Sequence, residues 1–202
     1  MKDERDRPFL EPHVSADPLA QLRSWTAEVE GTVGWDAVAL ATATRDGSPS
    51  ARMVLLKDAD ERGLTFYTGY ESRKGRELDE NPRAALVLYW HRPGRQVRVE
   101  GRVERVPEED ADAYFASRPL GSRLSAVVSR QSEVIPGRDE LEAAVEALRE
   151  RVGDDVPRPA SWGGYRLVPD YWEFWQHRQD RLHDRFRYRP GDDGWVVERL
   201  AP

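Results

Sequence analysis

Between residues 37 and 106 the apolar side chains recur every second residue, in short segments joined by turns. Residues 37–44 and 49–56 read as strands around an Asp46-Gly47 hairpin turn. A turn over 60–63 leads to a strand over 64–68. Residues 84–90 turn back at 91–94 into 96–106, where Val97, Val99, Gly101 and Val103 share a face. The last quarter repeats the pattern, with strands over 165–168, 171–176, 185–189 and 195–200 and an Asp193-Gly194 turn. Hairpin-linked strands without β-α-β alternation predict a mainly β (α+β) chain. They form an antiparallel sheet closed into a small barrel, with helices packed outside.

The predicted helices are few. Asp17-Pro18 caps a first one that Gly31 stops, and Ser72 opens a second that runs to Glu80 and ends at Asn81-Pro82. Residues 107–118 form a third, Pro119 starts a fourth, and 138–152 carry an amphipathic stripe of Leu141, Val145, Leu148 and Val152. Residues 1–16 are polar and aperiodic and read as a flexible N-terminal arm, leaving 17–202 as a single domain.

Composition removes several classes of function. The chain has 31 basic and 37 acidic residues and a net charge of −6, which argues against nucleic acid and anionic membrane partners. It has no cysteine, so thiol nucleophiles, disulfides and thiolate metal sites are excluded, and four dispersed histidines predict no metal site. No segment approaches the roughly 20 apolar residues of a membrane span. Residues 1–7 have no apolar core of a signal peptide, so a cytoplasmic location is expected. Charged residues make up 34% of the chain, and pairing with a second copy is one way for it to gain burial.

Four clusters carry chemistry. Ser72, Arg73 and Lys74 place two cations in a first helical turn, against the helix dipole. An anion held by the free N–H groups there reconciles them, although a solvated charged turn fits the same residues. Arg52 and Lys57 bracket an apolar stretch, with Arg52, Val54 and Leu56 on one side of the strand and Met53, Leu55 and Lys57 on the other. This suits a binding strand or an edge guarded by charge. Tyr114, Arg118 and Ser122 stand four apart and align approximately across the Pro119 restart. A guanidinium with two hydroxyls is suited to a phosphate dianion, or it is a partly exposed helix face. Finally, Arg181, His183 and Arg185 share a face if the chain is extended from 181, and Trp175 adds a stacking surface. Local pairing with Asp180 and Asp184 is the alternative. Gln96, Gln131 and Ser132 carry no signal unaided. Cationic cradles, stacking aromatics and no evident general base suit a phosphorylated aromatic cofactor whose own ring does the chemistry.

Ordered blocks over residues 17–202 resemble the pyridoxine/pyridoxamine 5′-phosphate oxidases, FMN-dependent enzymes with an FMN-binding split β-barrel. The blocks include RMVLLK (52–57), Tyr67-Thr68, Ser72-Arg73-Lys74, Ser117-Arg118-Pro119, SRQS (129–132), Trp162-Gly163-Gly164, EFWQ (173–176), RLHDRF (181–186) and RLAP (199–202). The resemblance implies a homodimer with FMN in clefts between subunits. Arg52, Thr68, Arg73, Lys74 and the partner copy's Gln131 and Ser132 would surround the FMN phosphate and ribityl chain. Met53, Val54, Leu55, Leu56, Lys57, Tyr67, Gln96, Trp175 and Arg185 would complete the cofactor site. Lys57, Tyr114, Arg118 and Ser122 would hold a substrate phosphate, while Arg181 and His183 hold the pyridine ring of that substrate. The implied reaction oxidises pyridoxamine or pyridoxine 5′-phosphate to pyridoxal 5′-phosphate while O2 becomes H2O2. Three departures stand out: His177 replaces the usual glycine, Val127 a frequent tryptophan, and the arm lacks the usual Arg/Tyr segment. A sister branch, the flavin oxidases of phenazine biosynthesis, is the second reading, and a non-catalytic flavin- or pyridoxal-phosphate-binding module is the third.

Overall fold

A computed structural model describes residues 5–202. The strands are β1 (Ala37–Ala43), β2 (Pro49–Leu55), β3 (Asp58–Asp60), β4 (Gly63–Gly69), β5 (Arg83–Trp90), β6 (Arg95–Arg105), β7 (Trp162–Gln176), β8 (Asp184–Gly191) and β9 (Gly194–Leu200). They form one antiparallel sheet in the order β2-β1-β5-β6-β7-β4-β3, with β8 and β9 continuing from β7. β2 and β3, the two ends of that order, are halves of one stretch of chain broken at Leu56-Lys57. The sheet therefore curls back on itself as a split barrel.

The period-two reading explains the interior. Alternate residues of β1 and β5, among them Val38, Leu40, Leu86 and Leu88, are buried, as are Val97, Val99 and Val103 of β6. Phe66, Leu167 and Phe174 complete the barrel core. The outward face of β1, β2 and β5 is also apolar: Met53, Ala39 and Val87 are register partners, and Met53, Leu55 and Tyr89 remain exposed.

Helix α1 (Pro18–Thr26) is capped by Asp17, whose carboxylate accepts from the N–H groups of Leu19 and Ala20. It ends before the expected Gly31, and a following turn buries Val29. Helix α2 (Arg73–Glu80) has Ser72 as N-cap and Asn81 as C-cap. α3 (Glu108–Ser117), α4 (Leu120–Val128) and α5 (Arg138–Val152) pack as a second layer around Phe115, Leu124, Leu148, Val156 and Trp162. Of the α5 stripe, Leu148 alone is fully buried.

Two further expectations are corrected. β7 is one strand of 15 residues where the sequence predicts two. Pro169 interrupts the pattern, but it sits where β7 changes neighbour from β4 to β8, opposite a register shift at Glu100/Gly101, so its missing N–H costs no ladder bond. The predicted arm also lies against the barrel from residue 5 onward; residues 1–4 fall outside the described ones. Phe9 is 4% exposed and packs edge-on against Trp25 and Phe186, with centroids 5.0 and 5.1 Å away. Its N–H donates to Asp184 Oδ2 at 3.0 Å. The Tyr188 hydroxyl donates to the Ser15 carbonyl, and Arg199 pairs with Glu11. Phe9→Ala is expected to cost about 3 kcal/mol and to open the arm to protease, as read by denaturant midpoint and limited digestion.

Candidate functional site

A cavity of about 800 Å³ lies between β2, the end of β4, the start of α2, the α3–α4 junction and the 131–132 loop. At its α2 end, Lys74 is 7% exposed, and its Nζ donates to Thr68 Oγ1 at 3.0 Å, Gln131 Oε1 at 2.9 Å and Ser72 Oγ at 3.3 Å. Burial, together with the nearby Arg52 guanidinium, lowers its pKa from 10.5 to about 8. Gly75 lets α2 start this close to the β4 end: a Cβ there would stand 1.9 Å from the Tyr70 carbonyl oxygen.

The counterweight is Glu77, 3% exposed. Its Oε2 accepts from Thr42 and Ser50 hydroxyls, both at 2.5 Å, and from Arg52 at 3.1 Å, while Oε1 accepts from Arg73 at 2.8 Å. Burial alone would raise its pKa. The hydrogen bonds from Ser50, Thr42, Arg73 and Arg52 outweigh that and hold it at about 2, against an ordinary 4.5. Because the folded-state value is the lower one, the stabilisation is present above pH 4.5 and lost as pH falls toward 2. Glu77→Gln is expected to cost about 3 kcal/mol at pH 7 and to flatten the stability–pH curve between those values in chemical denaturation.

One carboxylate against Arg52, Arg73 and Lys74 leaves two positive charges at a helix N-terminus. A phosphate monoester dianion matches that balance, so these residues are suited to a phosphate group.

The other end of the cavity is aromatic. Tyr67 and Tyr114 stack at 3.9 Å, and Tyr114 lies nearly parallel to Trp162 at 6.2 Å. Arg118 sits 4.5 Å over the Trp162 ring. Among the described residues its Nη1 is buried without a hydrogen-bond partner, and burial lowers the pKa of the guanidinium. Ser122 and Lys57 also line the cavity, and Lys57 forms an ion pair with Asp36 at 2.9 Å.

The structure brings Arg52, Met53, Val54, Leu55, Lys57, Tyr67, Thr68, Arg73, Lys74, Gln131 and Ser132 to this cavity, together with Tyr114, Arg118 and Ser122. The Leu56 side chain instead joins the barrel core. Gln131 and Ser132 differ from their expected placement, since they reach the cavity within the same chain. Ser132, at φ 77°, turns the loop so that its hydroxyl accepts from the Arg73 N–H.

Gln96, Trp175, Arg185, Arg181 and His183 do not line this cavity. Tyr89, Gln96, Trp175 and Arg185 are successive register partners across β5, β6, β7 and β8. Arg185 is held by buried Glu173 at 2.8 Å. Trp175, Arg181 and His183 border a separate hollow of about 520 Å³. Arg181 does not join the predicted extended face: residues Gln179–Arg181 form a 3-10 turn in which Asp180 and Arg181 have φ of 55° and 63°. The His183 ring stands 4.5 Å from Trp175, and its Nδ1 accepts from the Arg178 N–H at 3.1 Å. Burial and the surrounding His177, Arg181 and Arg185 lower its pKa, which favours the neutral ring. Glu77, Glu173, Trp162 and Asp36 were not singled out as site residues from sequence. The i,i+4 spacing of Arg73 and Glu77 was the available signal for the first.

Residues 34–151 match the family described as pyridoxamine 5′-phosphate oxidase, and residues 162–202 match the pyridoxine 5′-phosphate oxidase C-terminal dimerisation region. A pyridoxine/pyridoxamine 5′-phosphate oxidase from Cupriavidus pinatubonensis is 54% identical over 198 residues, covering 95% of this chain and 92% of the relative. One from Ralstonia pickettii is 54% identical over 192 residues, covering 94% and 91%. The crystal structure of PhzG from Burkholderia lata 383 in complex with tetrahydrophenazine-1-carboxylic acid has a TM-score of 0.91 to this chain at 35% identity, with 98% of each chain covered. Fold and site thus define the class, an oxidase built on the split barrel. The chain belongs to the pyridoxine/pyridoxamine 5′-phosphate oxidase family. Among the described residues no helix is long and apolar enough to cross a membrane.

Proposed function

We propose that the chain is an FMN-dependent oxidase that converts pyridoxine or pyridoxamine 5′-phosphate to pyridoxal 5′-phosphate, with O2 reduced to H2O2 and, from the amine, water consumed and ammonia released. The observation that carries this reading is the cavity with cations at both ends. Arg52, Arg73 and Lys74 suit the FMN phosphate. The Nη1 of Arg118, without a partner among the described residues and in the cavity that Lys57, Tyr114 and Ser122 also line, suits a second phosphate, that of the substrate. When bound, FMN supplies an acceptor for the hydride leaving the substrate C4′ carbon and a route for its electrons to O2.

The chain's own residues bind and orient. Lys57 and Arg118 fix the phosphate end of the substrate, and the Tyr67–Tyr114–Trp162 stack walls off that end from water. Neutral His183, with Nδ1 occupied as an acceptor, presents Nε2–H as a donor. Arg181 would lie against the substrate ring and help to orient it.

His183, Arg181, Trp175, Gln96 and Arg185 meet the cavity through a second copy. The family's dimerisation region spans 162–202 and includes four of the five, and the apolar outer face of β1, β2 and β5 is the surface that a second copy covers.

Flavin-loaded protein is expected to elute as a dimer in gel filtration, and to consume O2 and release H2O2 with pyridoxine 5′-phosphate. Yellow protein inert toward both vitamin B6 phosphates would reject the substrate assignment. A second reading, oxidation of a reduced tricyclic such as a dihydrophenazine, is favoured by the likeness to PhzG and by the Lys57–Asp36 ion pair, which offsets one cation at the substrate end.

A further inference from the structure

The turn carrying Arg181 and His183 has a backbone that demands outside support. Two consecutive non-glycine residues, Asp180 and Arg181, occupy the left-handed region, and such geometry persists only where the surroundings over-determine it. Within the turn, one backbone bond, Leu182 N–H to the Gln179 carbonyl, closes the bend.

Further support comes from the arm and from the start of β8. Arg178 Nε donates to Asp6 Oδ1 at 2.7 Å, and the Gln179 N–H reaches the same oxygen at 3.3 Å. Arg178 Nη1 donates to Asp184 Oδ2 at 3.3 Å. Asp184, 8% exposed, is itself held by the Phe9 N–H on Oδ2 and by Arg199 on Oδ1. The guanidinium thus joins residue 6 of the arm to the first residue of β8 and brackets the turn at both ends. Its own backbone N–H lies against His183 Nδ1.

We propose that Arg178 is a positioning residue. Through Asp6 and Asp184 it holds the 179–183 turn so that its backbone N–H fixes His183 in the tautomer with the proton on Nε2, facing the substrate. The arm acts as a buttress of the substrate site through Asp6. This inference rests on the reading of His183 as a substrate contact, but the geometry it claims is independent of turnover.

The test uses full-length, FMN-loaded protein labelled with ¹⁵N-histidine, with the His183 signals assigned by His183→Asn. The parent is expected to show one His183 tautomer, with Nδ1 unprotonated and Nε2 protonated. Arg178→Gln and Asp6→Asn are each expected to average the two tautomers and to raise KM for pyridoxine 5′-phosphate about tenfold, with bound flavin unchanged. Their combination should be little worse than either alone, because both remove one network. Arg178→Lys, which keeps the charge, should recover part of the KM. Asp6→Asn is isosteric and partly exposed, so it serves if Arg178→Gln fails to fold. An unaltered His183 tautomer in the variants would overturn the proposal. Absence of turnover with either B6 phosphate would count against the substrate assignment alone, and the tautomer spectra would still decide this one.

Discussion

Replacing Lys74 with methionine is expected to weaken FMN binding by about ten- to a hundredfold while leaving the flavin-free protein no less resistant to heat. The loss follows from removing a charge-assisted contact worth roughly 1.5–3 kcal/mol. The unchanged stability follows from the sign of the lysine's shift. Its pKa is lowered from 10.5 to about 8, because burial and Arg52 disfavour the charged form. For a cation so shifted, the cost to the folded state is fully present below about pH 8 and disappears as pH rises through 10.5. Methionine removes that cost. The three oxygens it leaves behind retain a bond among themselves, since the Thr68 hydroxyl already donates to Gln131 at 2.9 Å. The same shift means that FMN affinity in the parent falls as pH rises above about 8, because the phosphate then has to draw a proton onto Lys74. Flavin titration by fluorescence from pH 6.5 to 9.5, with calorimetry of both flavin-free proteins, checks all three statements. An affinity unaltered by Lys74→Met would remove Lys74 from the phosphate site.

Arg118→Ala is expected to raise KM for pyridoxine 5′-phosphate by about ten- to a hundredfold and to leave bound flavin untouched. The guanidinium already carries its desolvation cost and its stacking on Trp162, with Nη1 uncommitted, so a phosphate gains a prepaid partner. A dihydrophenazine lacks that phosphate, and its oxidation should be indifferent to the same substitution. Steady-state oxygen uptake with both substrates therefore decides between the two readings of the site. Equal losses on both would show that Arg118 supports the cavity wall and does not select the ligand.

Much of this was legible in the sequence because it is local. Helix α2 begins and ends where Ser72 and Asn81-Pro82 say it should, since caps act within a turn. The hairpin at Asp46-Gly47 and the inward face of β6 follow from turn chemistry and from period two. The cations of the cavity were visible as residue types placed against a helix dipole. What could not be read depends on contacts far apart in the chain. Nothing near Phe9 says that its ring ends between Trp25 and Phe186, so the arm looked free. Pro169 reads as a break because only the neighbouring strands reveal that no ladder bond is lost with its missing N–H. The Arg181–His183–Arg185 alignment assumed extended backbone, and a left-handed Asp180 with no glycine beside it leaves no trace in composition. Glu77 is invisible for the same reason, since three of its partners come from the β1–β2 hairpin.

The length of β7 has a consequence for how the molecule tolerates damage. Trp162 at its first residue walls the cavity, and Trp175 near its last belongs to the separate transverse row, up to about 40 Å of strand away. One polypeptide therefore carries the two sets of residues in separate hollows of the same sheet. In the proposed pairing each working centre draws one half from each copy. A chain crippled at Lys74 and another crippled at Arg185 would then rescue one another when mixed, with one intact centre per hybrid and one doubly broken.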